Sequence, residues 1–132
     1  AKRIRLMAMS VFVMAPEKEP TREIKDYLYK VVRYAKDGWI GTLVRPGICK
    51  WLVDACAVNK ISIATYRWDG MPYLPDHDSE TCKSDDDWQC IKNIIDGYDI
   101  VVGIVDGEDH IINAGLVYAN QQEKETRNIP YR

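Results

Sequence analysis

The stretch Tyr98-Asp-Ile-Val-Val-Gly-Ile-Val105 restricts this chain more than any other. Its five apolar residues are not interrupted by polar alternation, and it stops at Asp106-Gly107. A strand with apolar residues on both faces belongs inside a sheet covered on both sides, which is the setting of a parallel sheet. The segment from Ile4 to Met14, closed by Pro16, has the same character. Between the two lie helical patterns. Strands alternating with helices predict an α/β fold with helices on both faces of a mainly parallel sheet. At 132 residues there is room for one domain of about five strands and four helices. The expected architecture is a three-layer sandwich, flavodoxin-like or Rossmann-like, spanning 1–132 as a single unit.

The helices are legible from their apolar stripes. Pro20 and Thr21 open the first; Ile24, Tyr27, Leu28, Val31, Val32 and Ala35 then recur on one face, and Gly38 closes it. Trp39 to Val44 reads as a second strand and Pro46-Gly47 as a turn. A weaker stripe of Ile48, Trp51, Leu52 and Ala55 ends near Asn59. Ile61 to Tyr66 reads as a third strand. Arg67 to Lys83 has Gly70, Pro72 and Pro75 with no period, and reads as a long loop. Trp68 and Tyr73 lie in it, either to stack on a planar ligand or to pin the loop to the body. Ser84, followed by three aspartates, reads as a helix cap. Trp88, Ile91, Ile95 and Tyr98 supply that helix's apolar face. His110 to Glu123 is the last helix, and Asn128 to Tyr131 begins a further strand.

Composition removes several functions. Apolar residues make up 46% and charged residues 29%, so disordered and collagen-like chains are excluded. Eighteen basic and twenty acidic residues leave a net charge of −2, without the basic excess that a duplex nucleic-acid binder carries. Eight Tyr and four Trp against one Phe suit half-wet pocket walls and interfaces, or aromatic packing around a small core. The cysteines, at 49, 56, 82 and 90, follow neither zinc-finger nor redox spacing. Free thiols in a reducing cytosol are expected, rather than a metal site on Cys82, Cys90 and His77, so no metal and no cofactor is predicted. Lys2, Arg3 and Arg5 ahead of the apolar run Leu6–Ala15 have the outline of a secretory signal. Ser10 interrupts that run and it is too short to span a bilayer, so it is read as the first buried strand. No membrane partner is expected.

In an open parallel sheet, ligands bind beyond the carboxyl ends of the strands. That rule selects Met14, Ala15, Pro16 and Glu17 after the first strand and Arg67, Trp68 and Asp69 after the third. After Val105 it selects Asp106, Gly107, Glu108 and Asp109, then Asn113 in the first turn of the last helix. No GxxxxGK or GxGxxG phosphate loop occurs, and there is no Ser-His-Asp arrangement, because His77 and His110 are the only histidines. Carboxylates at a strand end have a use in glycosyl transfer, where one attacks the anomeric carbon while another group protonates the leaving atom. Asp106, Glu108 and Asp109 equally form a solvated acidic turn, with Asp109 capping the last helix.

The segment W-x6-I-D-G-Y-D-I-V-V-G-I-V-D-G followed by N-A-G-L-V-Y-A resembles the carboxyl-terminal half of the nucleoside 2-deoxyribosyltransferase-like superfamily. That group includes nucleoside deoxyribosyltransferases and deoxynucleoside-monophosphate N-glycosidases. The opening V-F-V-M-A-P is similar to its first strand and turn, and the resemblance covers about half the chain. It implies a nucleoside or nucleotide in the crevice, with the Asp106–Gly107–Glu108 turn at the sugar and Met14, Ala15 and Pro16 at the phosphate or base. It also implies an acidic residue on the preceding helix, for which Asp87 is the candidate. The position of the group's nucleophilic Glu is occupied here by Asn113, which cannot form a glycosyl ester.

Two ligand-directed functions follow as expectations, beside a third, an assembly or interaction subunit with no small ligand. One is an N-glycosidase or deoxyribosyltransferase, a hydrolase or transferase in which Glu108 or Asp106 is the catalytic carboxylate. Asn113 would bond the sugar, and Trp68 or Tyr73 would stack on the base. The other is a non-catalytic sensor or sequestering protein for a nucleotide-derived ligand. A cytoplasmic homo-oligomer is expected, because small members of the resembling group build their sites between subunits.

Overall fold

A computed structural model describes residues 9–35, 38–68 and 86–132, together with the backbone of 80–82. Among the described residues there are six strands: β1 (Ser10–Met14), β2 (Trp39–Leu43), β3 (Ile63–Trp68), β4 (Glu80–Cys82), β5 (Ile100–Val105) and β6 (Glu125–Pro130). Four helices join them: α1 (Arg22–Tyr34), α2 (Ile48–Val58), α3 (Asp87–Asp96) and α4 (His110–Gln121). The strands form one sheet in the order β4-β3-β2-β1-β5-β6, and every ladder is parallel. This is the expected α/β sandwich, with the short β4 added to the five strands read from the sequence. From β1 the chain steps outward to β4, then returns to the other side of β1 for β5 and β6. The stepping direction therefore reverses between β1 and β5. Right-handed crossovers place α1 and α2 on one face and α3 and α4 on the other. The helices pair accordingly, α1 with α2 and α3 with α4.

All five residues of β1 are buried, as are the first five of β5. Both faces of these strands are covered, so neither shows polar alternation. On the α3–α4 side, Phe12 of β1, Gly41 of β2 and Tyr66 of β3 lie under Tyr98. The Tyr98 ring centroid is 5.4 Å from that of Phe12, and its hydroxyl is 2.7 Å from the Tyr66 hydroxyl. A Cβ built on Gly41 would lie 2.1 Å from the Tyr98 oxygen, so only glycine leaves room for this ring. On the opposite face, the Thr42 hydroxyl donates to the Val13 carbonyl at 2.8 Å, which satisfies a polar group buried between sheet and helix.

The helix starts follow capping chemistry. Thr21 Oγ1 accepts from the Ile24 N–H at 3.3 Å and donates to the Arg132 carbonyl. At α3 the cap is Asp86, whose carboxylate accepts from the Trp88 N–H at 3.0 Å. Ser84, the cap predicted from sequence, lies outside the described residues, as do Tyr73, His77 and positions 4–8 of the predicted first strand. Of the loop expected over 67–83, residues 67–68 and 80–82 are in strands, and the others lie outside the described residues. Arg67 and Trp68 complete β3, where Trp68 is only 4% exposed, and 80–82 form β4. Trp68 is thus a core residue of a strand end, packed with the main apolar cluster. The expectation of four free thiols fails at Cys90, which is disulfide-bonded, while Cys49 and Cys56 are free and buried. A disulfide sulfur has no thiolate to offer a metal, so the Cys82–Cys90–His77 alternative loses that ligand. Among the described residues, no helix is long and apolar enough to cross a membrane.

Candidate functional site

The reversal between β1 and β5 opens a crevice at the carboxyl ends of the central strands, the usual ligand position in such sheets. An open cleft of about 370 Å³ is found there, lined by Pro16, Glu17, Lys18, Arg45, Asp106, Glu108 and Asp109. Three connections supply it: the turn after β1, the residue that follows the end of β2 and Val44, and the turn from β5 into α4.

The β5–α4 turn is built around Asp106. Its Oδ1 accepts from the backbone N–H of Glu108 at 2.9 Å and of Asp109 at 3.1 Å, and Gly107 between them has a φ of 84°. The other oxygen, Oδ2, is 3.1 Å from Lys18 Nζ. The Glu108 N–H, with the Asp109 N–H and Lys18 behind it, pulls the Asp106 carboxyl down to about 2 despite its burial. Lys18 is shifted upward in turn, chiefly by its hydrogen bond to Asp106. Its ammonium lies 5.2 Å from the Tyr131 ring centroid, and the Tyr131 hydroxyl donates to the Glu19 carbonyl at 2.8 Å, so the carboxyl-terminal residues brace this turn.

Asp109 is equally occupied. Oδ1 caps α4 by accepting from Ile111 N–H at 3.1 Å and Ile112 N–H at 3.4 Å, and Oδ2 is 2.6 Å from Arg45 Nη1. The same Arg45 nitrogen donates to the Ala15 carbonyl at 3.0 Å. Arg45 thereby ties together the carboxyl ends of β1, β2 and β5. The turn into α2 is fixed to the β1 turn as well. Ile48 N–H donates to the Lys18 carbonyl at 2.8 Å, and Gly47, at a φ of 82°, leaves no room for a Cβ against that carbonyl.

The residues singled out from sequence are divided by this geometry. Pro16, Asp106, Glu108 and Asp109 meet in the cleft, with Gly107 shaping the turn between them. Ala15 contributes its carbonyl, while the Met14 side chain is fully buried beneath α4, where a Cβ on Gly115 would lie 2.8 Å from its sulfur. Glu108 is 80% exposed and its nearest charged partner is Lys18 at 3.8 Å. Asn113 and Asp87 are exposed on α4 and α3 and do not line the cleft. Trp68 is buried at the end of β3 and outside the cleft lining. Lys18 and Arg45 are the residues that sequence reading missed. Arg45 had a usable signal, since the strand-end rule applies to the second strand as much as to the first and third.

Chemically, the cleft presents four carboxylates and two cations, with each cation paired to a carboxylate. The anion-binding amides at the start of α4 are already capped by Asp109. Such a surface offers hydrogen-bond acceptors to hydroxyl and amino groups. Among the described residues, no group of three or more His, Cys, Asp and Glu side chains could hold a metal ion. No family model matches this chain, and comparison with curated proteins and with solved structures found no match.

Proposed function

We propose that this chain binds a nucleoside or a nucleotide-derived molecule across the carboxyl ends of β1, β2 and β5, leaving its N-glycosidic bond intact. The reading rests on the commitment of Asp106. A carboxylate that forms a glycosyl ester attacks the anomeric carbon with its electron density, and hydrogen-bond donors and a paired cation withdraw that density. Both Asp106 oxygens are engaged, by two backbone N–H groups and by Lys18. Asn113, at the position where the resemblance expects a nucleophilic Glu, supports the same reading, and is exposed outside the cleft lining. The acceptor-rich cleft suits sugar hydroxyls and base amino groups.

A second reading, N-glycosidase or deoxyribosyltransferase activity, is favoured by one observation. Glu108 is exposed, with Lys18 at 3.8 Å as its ion-pair neighbour, so its carboxylate has room to turn toward a ligand. It would attack the anomeric carbon as the glycosidic bond breaks, and the base would leave taking its proton from solvent water. Water or a second base would then release the sugar. A homo-oligomer, in which a second copy walls the open cleft, belongs to both readings and is tested by sedimentation. A cytoplasmic location loses part of its support, because the disulfide at Cys90 removes one of the free thiols from which it was argued.

One experiment separates the readings. The chain is incubated with deoxynucleosides, deoxynucleoside monophosphates and NAD, while melting temperature and released base are both followed. A ligand at about a hundredfold its Kd adds roughly 2.7 kcal/mol of stability. Stabilisation with the ligand recovered intact is the expected result. Free base would favour Glu108 chemistry, and neither signal from any compound would sink both readings.

A further inference from the structure

The α1–α2 face of the sheet holds a second recess, remote from the strand ends. Register places Val11 opposite Ile100 and Ile100 opposite Glu125, so these residues share a face. Val102 and Arg127, paired two positions further along, share it too. Both α3 and α4 lie on the other face, so among the described residues β5 and β6 have no helix of their own beside α1. The result is a groove of about 370 Å³ between α1 and β6. Its lining includes Lys30 and Tyr34 from the second half of α1 and Glu125 at the start of β6. Because α1 runs back against the strands, these lie toward the amino ends, away from the Lys18–Arg45 cleft.

The floor is apolar, formed by the buried side chains of Val11, Ile100 and Val102. Two phenol rings edge it: Tyr27, half-buried, and Tyr34, 58% exposed. An apolar floor, aromatic edges and a few convergent polar groups in a few hundred cubic ångströms is the usual make-up of a small-molecule site. The charges are unequal. Arg127 pairs with Glu125 at 3.0 Å, whereas Lys30 makes no ion pair among the described residues. The groove therefore has one positive charge in excess, above an apolar surface.

We propose that this groove is a binding site for a small amphipathic carboxylate, its flat apolar body on the Val11–Ile100–Val102 floor and its anion toward Lys30. The site is independent of the nucleoside reading. The test uses 2-naphthoate and its uncharged analogue 2-naphthol, titrated calorimetrically into the full chain. Naphthoate is expected to bind saturably, one per chain, and about tenfold more tightly than naphthol, the gain of one charge-assisted contact. Lys30→Met should abolish that preference while leaving naphthol binding in place, and Tyr34→Ala should weaken both compounds. Lys50→Met, on the exposed side of α2, is the control and should alter neither. Both groove substitutions are at exposed positions, and an unchanged melting temperature confirms the fold. The proposal is overturned if naphthoate fails to saturate, if the preference survives Lys30→Met, or if Lys50→Met reduces it equally.

Discussion

Arg45 Nη1 stands 2.6 Å from Asp109 Oδ2, joining the end of β2 to the cap of α4 across 64 positions of sequence. The Arg45 side chain is 11% exposed, so this pair is better shielded from water than a surface ion pair. Arg45→Met strips a donor from the Ala15 carbonyl and a cation from Asp109, and should cost about 1–3 kcal/mol. Asp109→Asn keeps the helix cap but puts an amide NH2, a donor, in place of the charged oxygen that accepts from Arg45. A double-mutant cycle by urea denaturation should therefore return a clear coupling energy. A coupling indistinguishable from zero would mean that the two groups stabilise the cleft separately.

Gly41→Ala tests the aromatic layer. The new methyl would lie 2.1 Å from the Tyr98 hydroxyl oxygen and 2.7 Å from its ring carbon, both in a packed interior. Overpacking of this kind should destabilise by about 1–3 kcal/mol. Tyr98→Phe removes the nearer of the two atoms, at the expense of the hydrogen bond to Tyr66. The double variant should be more stable than the sum of the two single losses implies. Strict additivity in thermal melts would show that the hydroxyl is not the obstacle.

Asp106 gives the fold an acid dependence. Its carboxyl is lowered in the folded state from 3.8 to about 2, primarily by the Glu108 N–H. The native state therefore binds this proton more weakly than the unfolded chain does. The stabilisation is complete above the unfolded value and is lost as pH falls through the folded one. Between pH of about 4 and about 2, denaturation curves should reveal a loss of about 1 kcal/mol attributable to this group, after allowance for screening. Asp106→Asn should flatten that part of the profile. An identical acid slope in the variant would assign the loss to other carboxylates.

Cys49 lies buried beneath the cleft, its sulfur 3.9 Å from the Ala15 carbonyl oxygen. Burial pushes its thiol upward, and does the same at Cys56, to about 11. Thiolate is the reactive form, so both should resist alkylation in the folded protein at neutral pH. Peptide mapping after iodoacetamide treatment should find Cys49 and Cys56 modified only in denaturant. Rapid labelling of Cys49 in the native state would indicate that the region beneath the cleft opens readily.

Much of the architecture was legible because its signals are local. The Ile24–Leu28–Val31–Val32 stripe, the Thr21 and Asp109 caps and the doubly apolar β5 each depend on neighbours a few residues away. The Asp106 turn was legible for the same reason, since it closes within four residues. Trp68 was placed wrongly because Gly70, Pro72 and Pro75 obscured where the third strand stopped. Lys18 was overlooked because one lysine in a polar turn has no periodic signature.

The sequence by itself determined that strands and helices alternate, that the sheet is parallel, and that acidic groups gather after β5. Backbone propensity, capping and hydrophobic periodicity act over short separations, and one chain carries them in full. Tertiary structure alone decided the order β4-β3-β2-β1-β5-β6, and with it which strand ends adjoin. That order brings Lys18 to Asp106 and Arg45 to Asp109, and so turns apparently free carboxylates into paired ones. Among the described residues it also leaves β5 and β6 without a helix on the α1 side. Such pairings depend on how distant segments stack, and no local pattern records them.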